Sequence, residues 1–385
     1  MFCAKTDVST WIKRNFVTFK VPKDANLLYV LGGVLLAGLT LQILTGISMA
    51  IHYVPTIDKA FLSVNLFMRK FKYGWLVRSA HVNGASLIFC ALYAHIFKAV
   101  YYRSYLDNRK VVWLVGSAIY ILMMCISFMG YVLPWGQLSY WAAVVITNFI
   151  ESIPVIGKWL KLFLLGGHAV RDPLIKRFFV FHCILPFVLF SLIILHITLV
   201  HAAGQNKLTL NRVPIMGSRV DIFPTFLLKD ATFICLYLLI LCLLCLVFPN
   251  ALINKLNYEP ANFYNTPNDI KPEWYFMHYY SVLRIFESKL IGMLIIILTL
   301  ALIILLPYTH ADLSSRFFTK FYRPFVVALF FNFLILGVLG VLNLNRWLIL
   351  LAKLCTFNYV SFFLYPVVAR LLQTIGVKLI NVSAS

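Results

Sequence analysis

The sequence predicts an all-α, polytopic membrane protein with eight transmembrane helices. Of its 385 residues, 62% are apolar or aromatic and only 12% are charged, whereas about 25% of residues are charged in soluble domains. The apolar residues also gather into eight runs, each near the roughly 20 residues that a helix needs to cross the hydrocarbon layer. Because backbone polar groups in lipid must be satisfied internally, these runs are expected to be helices.

The runs follow one another along the chain with links of unequal length. They lie near 27–53, 77–101, 111–133, 178–200, 226–248, 289–308, 324–343 and 347–368. The first 16 residues lack the apolar core and cleavage site of a signal peptide. The first run is therefore interpreted as a true span.

Two links are too long to be simple turns. The link 134–177 contains PWGQLSYW, IPVIG and GGHAVRDP, and the link 249–288 contains NYEPANFYNTPNDIKPEWYF. Both follow an odd-numbered span, so both should face the same compartment. Their aromatic content predicts ordered structure packed at the membrane interface.

The chain is strongly basic, with a net charge of +21 from 34 basic and 13 acidic residues. In a soluble protein this balance would favour nucleic acid as a partner. Here the basic residues fall in the links between apolar runs, which favours contact with anionic lipid headgroups. With no nucleic-acid-binding motif in the sequence, no nucleic-acid partner is expected.

Four histidines share one spacing. His81 and His95 lie 14 residues apart on the second span, and His182 and His196 lie 14 apart on the fourth. Fourteen residues make about four turns, so each pair shares a helix face and its members stand about 21 Å apart along the axis. The two spans run in the same direction, which brings His81 level with His182 and His95 level with His196.

Two histidines at equal depth on facing helices suit the axial ligands of a six-coordinate haem iron. For a single histidine, a polar contact between helices is the commoner explanation, and a metal other than haem is possible for any one pair. Glycines repeat the spacing, at Gly32 and Gly46 on the first span and at Gly116 and Gly130 on the third. Glycine lets a planar group approach a helix backbone, so the pattern predicts a bundle that encloses two haems.

Five strings are distinctive: LQILTG at 41–46, YGWLVRSAHVNGAS at 73–86, GYVLPWGQLSYW at 130–141, RFFVFHCILPF at 177–187 and PEWY at 272–275. They resemble the cytochrome b family, the haem subunit of the cytochrome bc complex (complex III). The resemblance implies a di-haem four-helix bundle with a helical surface loop in 1–201. Residues 202–385 would supply quinone-pocket and partner-binding helices.

The resemblance also implies roles for the histidines and nearby cations. His81 and His182 would bind a low-potential b haem near the outer face, and His95 and His196 a high-potential b haem near the inner face. Three cations match family positions near the haem propionates: Arg78, Arg177 and Lys98. Lys98 stands where the family usually has Arg, which keeps the charge but loses a bidentate fork.

An outer quinol pocket is implied around PEWY and the stretch 128–142. Glu273 is the expected proton acceptor, because a carboxylate at a dry site can have a raised pKa; a loop-anchoring acid is the alternative. The implied pocket residues are Phe128, Tyr131, Trp141, Ala142, Pro272, Tyr275 and Tyr280. The family usually has Gly at the position of Ala142, so one methyl group should narrow this pocket.

An inner quinone pocket is implied at His201, Lys229 and Asp230, where a His and an Asp could deliver protons to a quinone. A plain interfacial ion pair is the alternative. The surroundings depart from the family: AAGQNKL follows His201, Phe223–Pro224 replaces a His-Pro, and Gly33 replaces a usual Ser. Fewer polar contacts are therefore expected there.

Taken together, the resemblance implies a Q-cycle. Quinol would be oxidised at the outer site and quinone reduced at the inner site, and the transfer would generate a proton gradient. The implied partners are a Rieske iron–sulfur protein, a membrane-anchored cytochrome c subunit, accessory subunits, lipid and a second copy of the complex. The implied location is the mitochondrial inner membrane, or alternatively a bacterial plasma membrane.

Two other classes of protein fit part of the sequence. A di-haem membrane anchor of a dehydrogenase would keep the histidine spacing but would not need PEWY. A polytopic transporter would explain the eight spans but not the histidines paired at matched depth.

Overall fold

The computed structural model describes residues 7, 9–10, 13, 17–22, 27–203, 219–309 and 316–374. In these residues eight helices are long and apolar enough to cross a membrane, which confirms the predicted all-α, eight-span fold. The spanning helices are α1 (Leu31–Ala50), α3 (Gly74–Tyr101), α4 (Lys110–Val132), α7 (Asp172–Ala203), α8 (Thr225–Leu246), α10 (Lys289–Thr309), α11 (Arg316–Val341) and α12 (Arg346–Thr374). Four shorter helices lie between them: α2 (Ala60–Lys70), α5 (Gln137–Glu151), α6 (Gly157–Leu165) and α9 (Met277–Arg284).

The first four spans form a bundle in which α1 packs against α3, and α4 packs against α7. A small apolar core joins α1, α4 and α7 through Leu39, Ile126 and Leu189. Much of the remaining helix surface is apolar and exposed, as expected where lipid replaces water as the solvent. The helix α8 packs outside this bundle against both α1 and α3.

The last three spans pack against the bundle through an aromatic core. Tyr322 on α11 donates a 2.8 Å hydrogen bond to the carbonyl of Val100 on α3. Trp113 on α4 donates to the carbonyl of Ile303 on α10 at 2.7 Å. Such side-chain bonds to helix carbonyls fix neighbouring helices where no water competes.

The two long links lie on the same side of the molecule, as predicted, and are joined to each other. Gly136 forms an isolated antiparallel bridge with Pro260. Next to it, the side chain of Asn257 accepts a 2.9 Å hydrogen bond from the hydroxyl of Ser139. The side chain of Gln137 donates to the carbonyl of Asn265 at 2.9 Å. This side is the long-link face.

The opposite side, called the N-terminal face, carries one small sheet that the sequence did not predict. The strand β1 (Lys20–Pro22) pairs antiparallel with β2 (Arg219–Asp221), with Val21 opposite Val220. An ion pair of 2.8 Å joins Lys20 to Asp221. The pairing ties the segment before α1 to the segment before α8.

Candidate functional site

His81 and His182 face each other across the bundle near the long-link face. Their ring centroids are 6.2 Å apart and their planes are nearly perpendicular, at 84°. Two metal–nitrogen bonds of about 2 Å, with each nitrogen about 1 Å from its ring centroid, would give a separation of roughly 6 Å. The spacing therefore suits one iron atom between the two imidazoles.

Hydrogen bonds at the Nδ1 atoms determine the tautomers of His81 and His182. His182 Nδ1 lies 2.9 Å from the carbonyl oxygen of Ile126, and a carbonyl can only accept, so Nδ1 carries the proton. His81 Nδ1 lies 2.9 Å from Thr45 Oγ1. Since the Thr45 hydroxyl donates to the carbonyl of Leu41 at 2.8 Å, it accepts from His81. Both Nε2 atoms are thereby left with a free lone pair, which is the form that binds a metal.

Three of the four spaced glycines lie against the histidine rings. A Cβ at Gly46 would stand 3.1 Å from Cε1 of His81, and one at Gly116 would stand 3.1 Å from Cε1 of His196. A Cβ at Gly130 would overlap the His182 ring. A Cβ at Gly32 would meet nothing within 4 Å. Three of the glycines thus make room for the imidazoles, whereas the space beside Gly32 holds none of the residues that the structure describes.

The second histidine pair lies toward the N-terminal face, on the same two helices. His95 Nδ1 is buried and has no hydrogen-bond partner among the residues described. In the same part of the chain no cluster of three or more His, Cys, Asp or Glu side chains could hold a bare metal ion. A ligand set of two imidazoles is completed by a macrocycle, so the donors present fit haem better than a bare ion.

A cavity of about 490 Å³ opens between α1, α3, α4 and α7, within the usual range of about 300–1,000 Å³ for cofactor and ligand sites. Both imidazoles of the His81–His182 pair line it, together with the flanking glycines Gly46 and Gly130. Its lining is mostly apolar, which suits a hydrophobic macrocycle.

The guanidinium of Arg78 also lines this cavity. It is buried, with Nη1 2.7 Å from the sulfur of Met68. Among the described residues, no carboxylate lies within ion-pair distance of it. A buried cation without a counter-ion is costly, and the carboxylate of a haem propionate would supply one.

The other two predicted cations, Arg177 and Lys98, do not line this cavity. Nη1 of Arg177 bonds to the carbonyls of Phe163 and Leu164 at the end of α6, and Arg177 is not among the residues that line the cavity. The ammonium of Lys98 lies 4.0 Å from the ring centroid of Tyr29.

The cavity continues from the histidine pair to three residues of the predicted outer pocket, Tyr131, Glu273 and Tyr275. The ring of Tyr275 stacks on Phe89 at 4.1 Å, and its carbonyl accepts a 2.6 Å hydrogen bond from the hydroxyl of Tyr93. The PEWY segment is therefore held against α3. Burial raises the pKa of the Glu273 carboxyl to about 7, so it can exchange a proton near neutral pH.

Five other residues predicted for the outer pocket are not among those that line this cavity: Phe128, Trp141, Ala142, Pro272 and Tyr280. Phe128 packs edge-on against Phe178, with ring centroids 6.0 Å apart. Ala142 is buried on α5. The hydroxyl of Tyr280 donates to the carbonyl of Ile270 at 3.0 Å.

At the N-terminal face, the ring of Phe19 stacks on His201 at 4.1 Å and 15°. Asp230 follows Lys229 in α8, and its carboxylate lies beside Gly33, with Cγ 3.4 Å from a Cβ placed there. One oxygen of Asp230 is buried and has no hydrogen-bond partner among the described residues. Residues 204–208 of the AAGQNKL segment lie outside the described residues.

Sequence reasoning missed four residues that organise these sites. Thr45 holds His81, Tyr93 holds Tyr275, Asn257 joins the two links, and Phe19 covers His201. Thr45 had a usable signal, since it directly precedes Gly46 in LQILTG. The other three act across more than 100 residues of chain, and no local pattern marks them.

Family models and individual relatives match this chain to the same family. Residues 16–204 match the family model described as cytochrome b/b6/petB. Residues 260–360 match the model for the C-terminal part, described as cytochrome b(C-terminal)/b6/petD. The chain is 40% identical to cytochrome b of Rickettsia conorii over 331 residues, or 85% of this chain and 82% of that protein. It is 35% identical to cytochrome b of Acanthamoeba castellanii over 363 residues, 94% of each chain.

Similarity also extends to a fused relative and to a solved structure. Over 363 residues the chain is 37% identical to cytochrome b/c1 of Bradyrhizobium diazoefficiens, covering 93% of this chain and 52% of that protein. A chain of the solved structure titled "Hyperthermophilic respiratory Complex III" superposes with a TM-score of 0.86 at 28% identity, covering 95% of this chain and 97% of the other. The eight spans, the facing histidines and these matches together place the chain in the cytochrome b family.

Proposed function

We propose that this chain is the quinol-oxidising, electron-carrying subunit of a cytochrome bc complex. Electrons would pass from quinol at an outer site, through two b haems at different depths, to quinone at an inner site. In this proposal the long-link face is the outer face. Residues 1–201 hold the haems, and residues 202–385 complete the quinone pockets and contact partner subunits.

The observation that carries the proposal is the shared cavity. The imidazoles of His81 and His182 and the carboxyl of Glu273 line one continuous space. A quinol bound beside Glu273 would therefore lie close to the outer haem position. This arrangement supports coupled loss of an electron and a proton, and neither a transporter nor a simple di-haem anchor requires it.

The protein's part in haem binding is to hold the ligands ready. When bound, the two haems would supply one-electron redox centres near opposite faces of the membrane. His81 and His182 would ligate the outer haem, and His95 and His196 the inner one. The buried Arg78 guanidinium would neutralise a propionate of the outer haem, since it lines the same cavity and no described carboxylate pairs with it.

Glu273 would take a proton from quinol at the outer pocket. With its pKa raised to about 7 by burial, the carboxyl is present in both protonation states near neutral pH, which suits a group that accepts a proton and then releases it. Tyr131 and Tyr275 line the same space and would form its aromatic walls. The hydrogen bond from Tyr93 to Tyr275 keeps this segment in place.

At the inner pocket, His201, Lys229 and Asp230 would bind quinone and deliver protons to it. One oxygen of Asp230 has no partner within the described part of the chain, and this supports the role because a quinol hydroxyl could donate to it. Phe19 covers one face of the His201 ring and would keep water from that side.

Membership of a bc complex implies partners for the proton-coupled cycle. We propose a Rieske iron–sulfur protein as acceptor of the first electron and a membrane-anchored cytochrome c subunit beyond it, in a dimeric complex with accessory subunits. Cytochrome b relatives from both bacteria and eukaryotes support an energy-transducing membrane. That membrane would be the mitochondrial inner membrane or a bacterial plasma membrane.

The test is a comparison of three variants of the purified complex. His182→Leu should remove the outer b component from the reduced-minus-oxidised spectrum and abolish quinol:cytochrome c reductase activity. His95→Leu should remove the inner component. His52→Leu serves as the matched control, because His52 packs against Phe67 and Phe71 outside the helix pair, and should keep both components. Retention of both b haems in His182→Leu would overturn the proposal.

A further inference from the structure

We infer that Thr45 is a positioning residue that lowers the reduction potential of the outer haem by holding His81. The inference rests on the proposed function, because it concerns the haem that His81 and His182 would bind. It assigns a role to a side chain that touches neither haem iron nor quinone.

The Thr45 hydroxyl takes part in two consecutive hydrogen bonds. His81 Nδ1 donates to Thr45 Oγ1 at 2.9 Å, and the same hydroxyl donates to the carbonyl of Leu41 at 2.8 Å. Thr45 is buried, so water does not compete strongly for these bonds. Consecutive hydrogen bonds polarise one another, and the hydroxyl becomes a better acceptor because its own proton is engaged.

The backbone of Gly46 also restricts the position of the His81 ring. Gly46, next to Thr45 on α1, lies so close to this ring that a Cβ at position 46 would stand only 3.1 Å from Cε1 of His81. Thr45 thus holds one edge of the ring while the backbone of Gly46 supports the adjacent edge. The ring is fixed in orientation as well as in tautomer.

The two haem positions differ in the hydrogen bonding of the ligand Nδ1 atoms. Both outer ligands have a partner at Nδ1: Thr45 for His81 and the Ile126 carbonyl for His182. By contrast, Nδ1 of His95 at the inner position is buried without a hydrogen-bond partner among the described residues. A hydrogen bond from Nδ1–H raises the basicity of the metal-binding nitrogen. A more basic ligand favours ferric over ferrous iron, so the outer haem should have the lower potential.

The experiment is a redox titration of the b haems in the intact complex, with four forms compared. Thr45→Val keeps the shape of the side chain and removes the hydroxyl, so the midpoint of the outer component should rise and that of the inner component should not move. Thr45→Ser should restore the wild-type midpoint. Thr40→Val is the matched control, because Thr40 on the same helix is exposed and its hydroxyl donates to the Leu36 carbonyl.

The electron paramagnetic resonance spectrum of the oxidised complex gives a second readout. Loss of the Thr45 bond should shift the low-spin signal of the outer haem alone, because the ring of His81 is freed to rotate. An unchanged outer midpoint in Thr45→Val, or an equal rise in Thr40→Val, would overturn the inference. Absence of two b components from the wild-type complex would instead overturn the proposed function, so the two failures are distinguishable.

Discussion

The backbone of Gly130 lies directly against the imidazole ring of His182, so a methyl group at position 130 would overlap Cε1 of that ring. We expect Gly130→Ala to displace the ring and prevent ligation of the outer haem. Overpacking of this kind typically costs about 1–3 kcal/mol, and here the strain falls on a ligand. The haem content of the complex, measured as the pyridine haemochrome, should fall to about half.

Gly46 and Gly32, both on α1, allow a graded test of this prediction. Gly46→Ala places its Cβ 3.1 Å from the His81 ring and should weaken outer haem retention only partly, whereas a Cβ at Gly32 meets nothing within 4 Å. If Gly130→Ala retained a full complement of haem while Gly32→Ala lost it, the glycines would act on the macrocycle and not on the imidazoles.

The Glu273 carboxyl predicts a pH dependence of quinol oxidation. Burial raises its pKa to about 7, so the carboxylate that accepts a proton becomes the main form only above that pH. The rate of quinol oxidation at the outer site should therefore rise as pH increases through about 7. Glu273→Gln should abolish the rise and slow oxidation by about 100-fold, the lower end of the effect of general acid–base catalysis.

The control for this variant is Glu259→Gln, since Glu259 is an exposed acid of the same link. It should keep both the rate and the pH profile. The raised pKa also means that folding takes up a proton between about pH 4.5 and 7, so this group reduces stability as pH rises across that window. A pH profile that persisted in Glu273→Gln would assign the titration to another group.

Most of the fold could be predicted because its dominant physical requirement is local in sequence. A spanning helix needs only enough consecutive apolar residues, and each of the eight predicted runs overlaps a spanning helix of the structure. The pairing of β1 with β2 could not be predicted, because each strand has three residues and they lie about 200 residues apart. The joining of Gly136 to Pro260 is equally non-local.

In the candidate site, too, features set by local sequence could be predicted and features set by tertiary packing could not. The matched depth of His81 and His182 followed from helix geometry alone, and the structure places their rings 6.2 Å apart. The outer-pocket residues came from resemblance; Tyr131, Glu273 and Tyr275 line the cavity, and the roles of the other five stay predictions. A pocket wall depends on where side chains point after packing, which neither periodicity nor a family string specifies.

The hydrogen bond from Tyr93 to the Tyr275 carbonyl predicts a link between the haem helix α3 and the outer pocket. Tyr93→Phe removes this 2.6 Å bond and leaves the carbonyl of the PEWY segment without its buried donor, at a cost of about 1–3 kcal/mol. We expect KM for quinol to rise severalfold, with little change in haem content. Tyr322→Phe removes a hydroxyl that donates to the Val100 carbonyl and also bonds to the Tyr105 hydroxyl, and it should leave KM unchanged. Equal effects of the two variants would point to general loosening of the helices.

The Asp230 oxygen that no described residue contacts by a hydrogen bond predicts a gain of function at the inner pocket. A Cβ at Gly33 would stand 3.4 Å from Cγ of Asp230, an ordinary contact, so the hydroxyl of Gly33→Ser could donate to the carboxylate. Such a bond should fix the carboxylate and lower KM for quinol at the inner pocket severalfold. The measurement is b-haem reduction by quinol in a Glu273→Gln background, where electrons enter through the inner pocket. Gly32→Ser makes the same change in helix propensity beside open space, so an equal gain there would rule out the Asp230 contact as the cause.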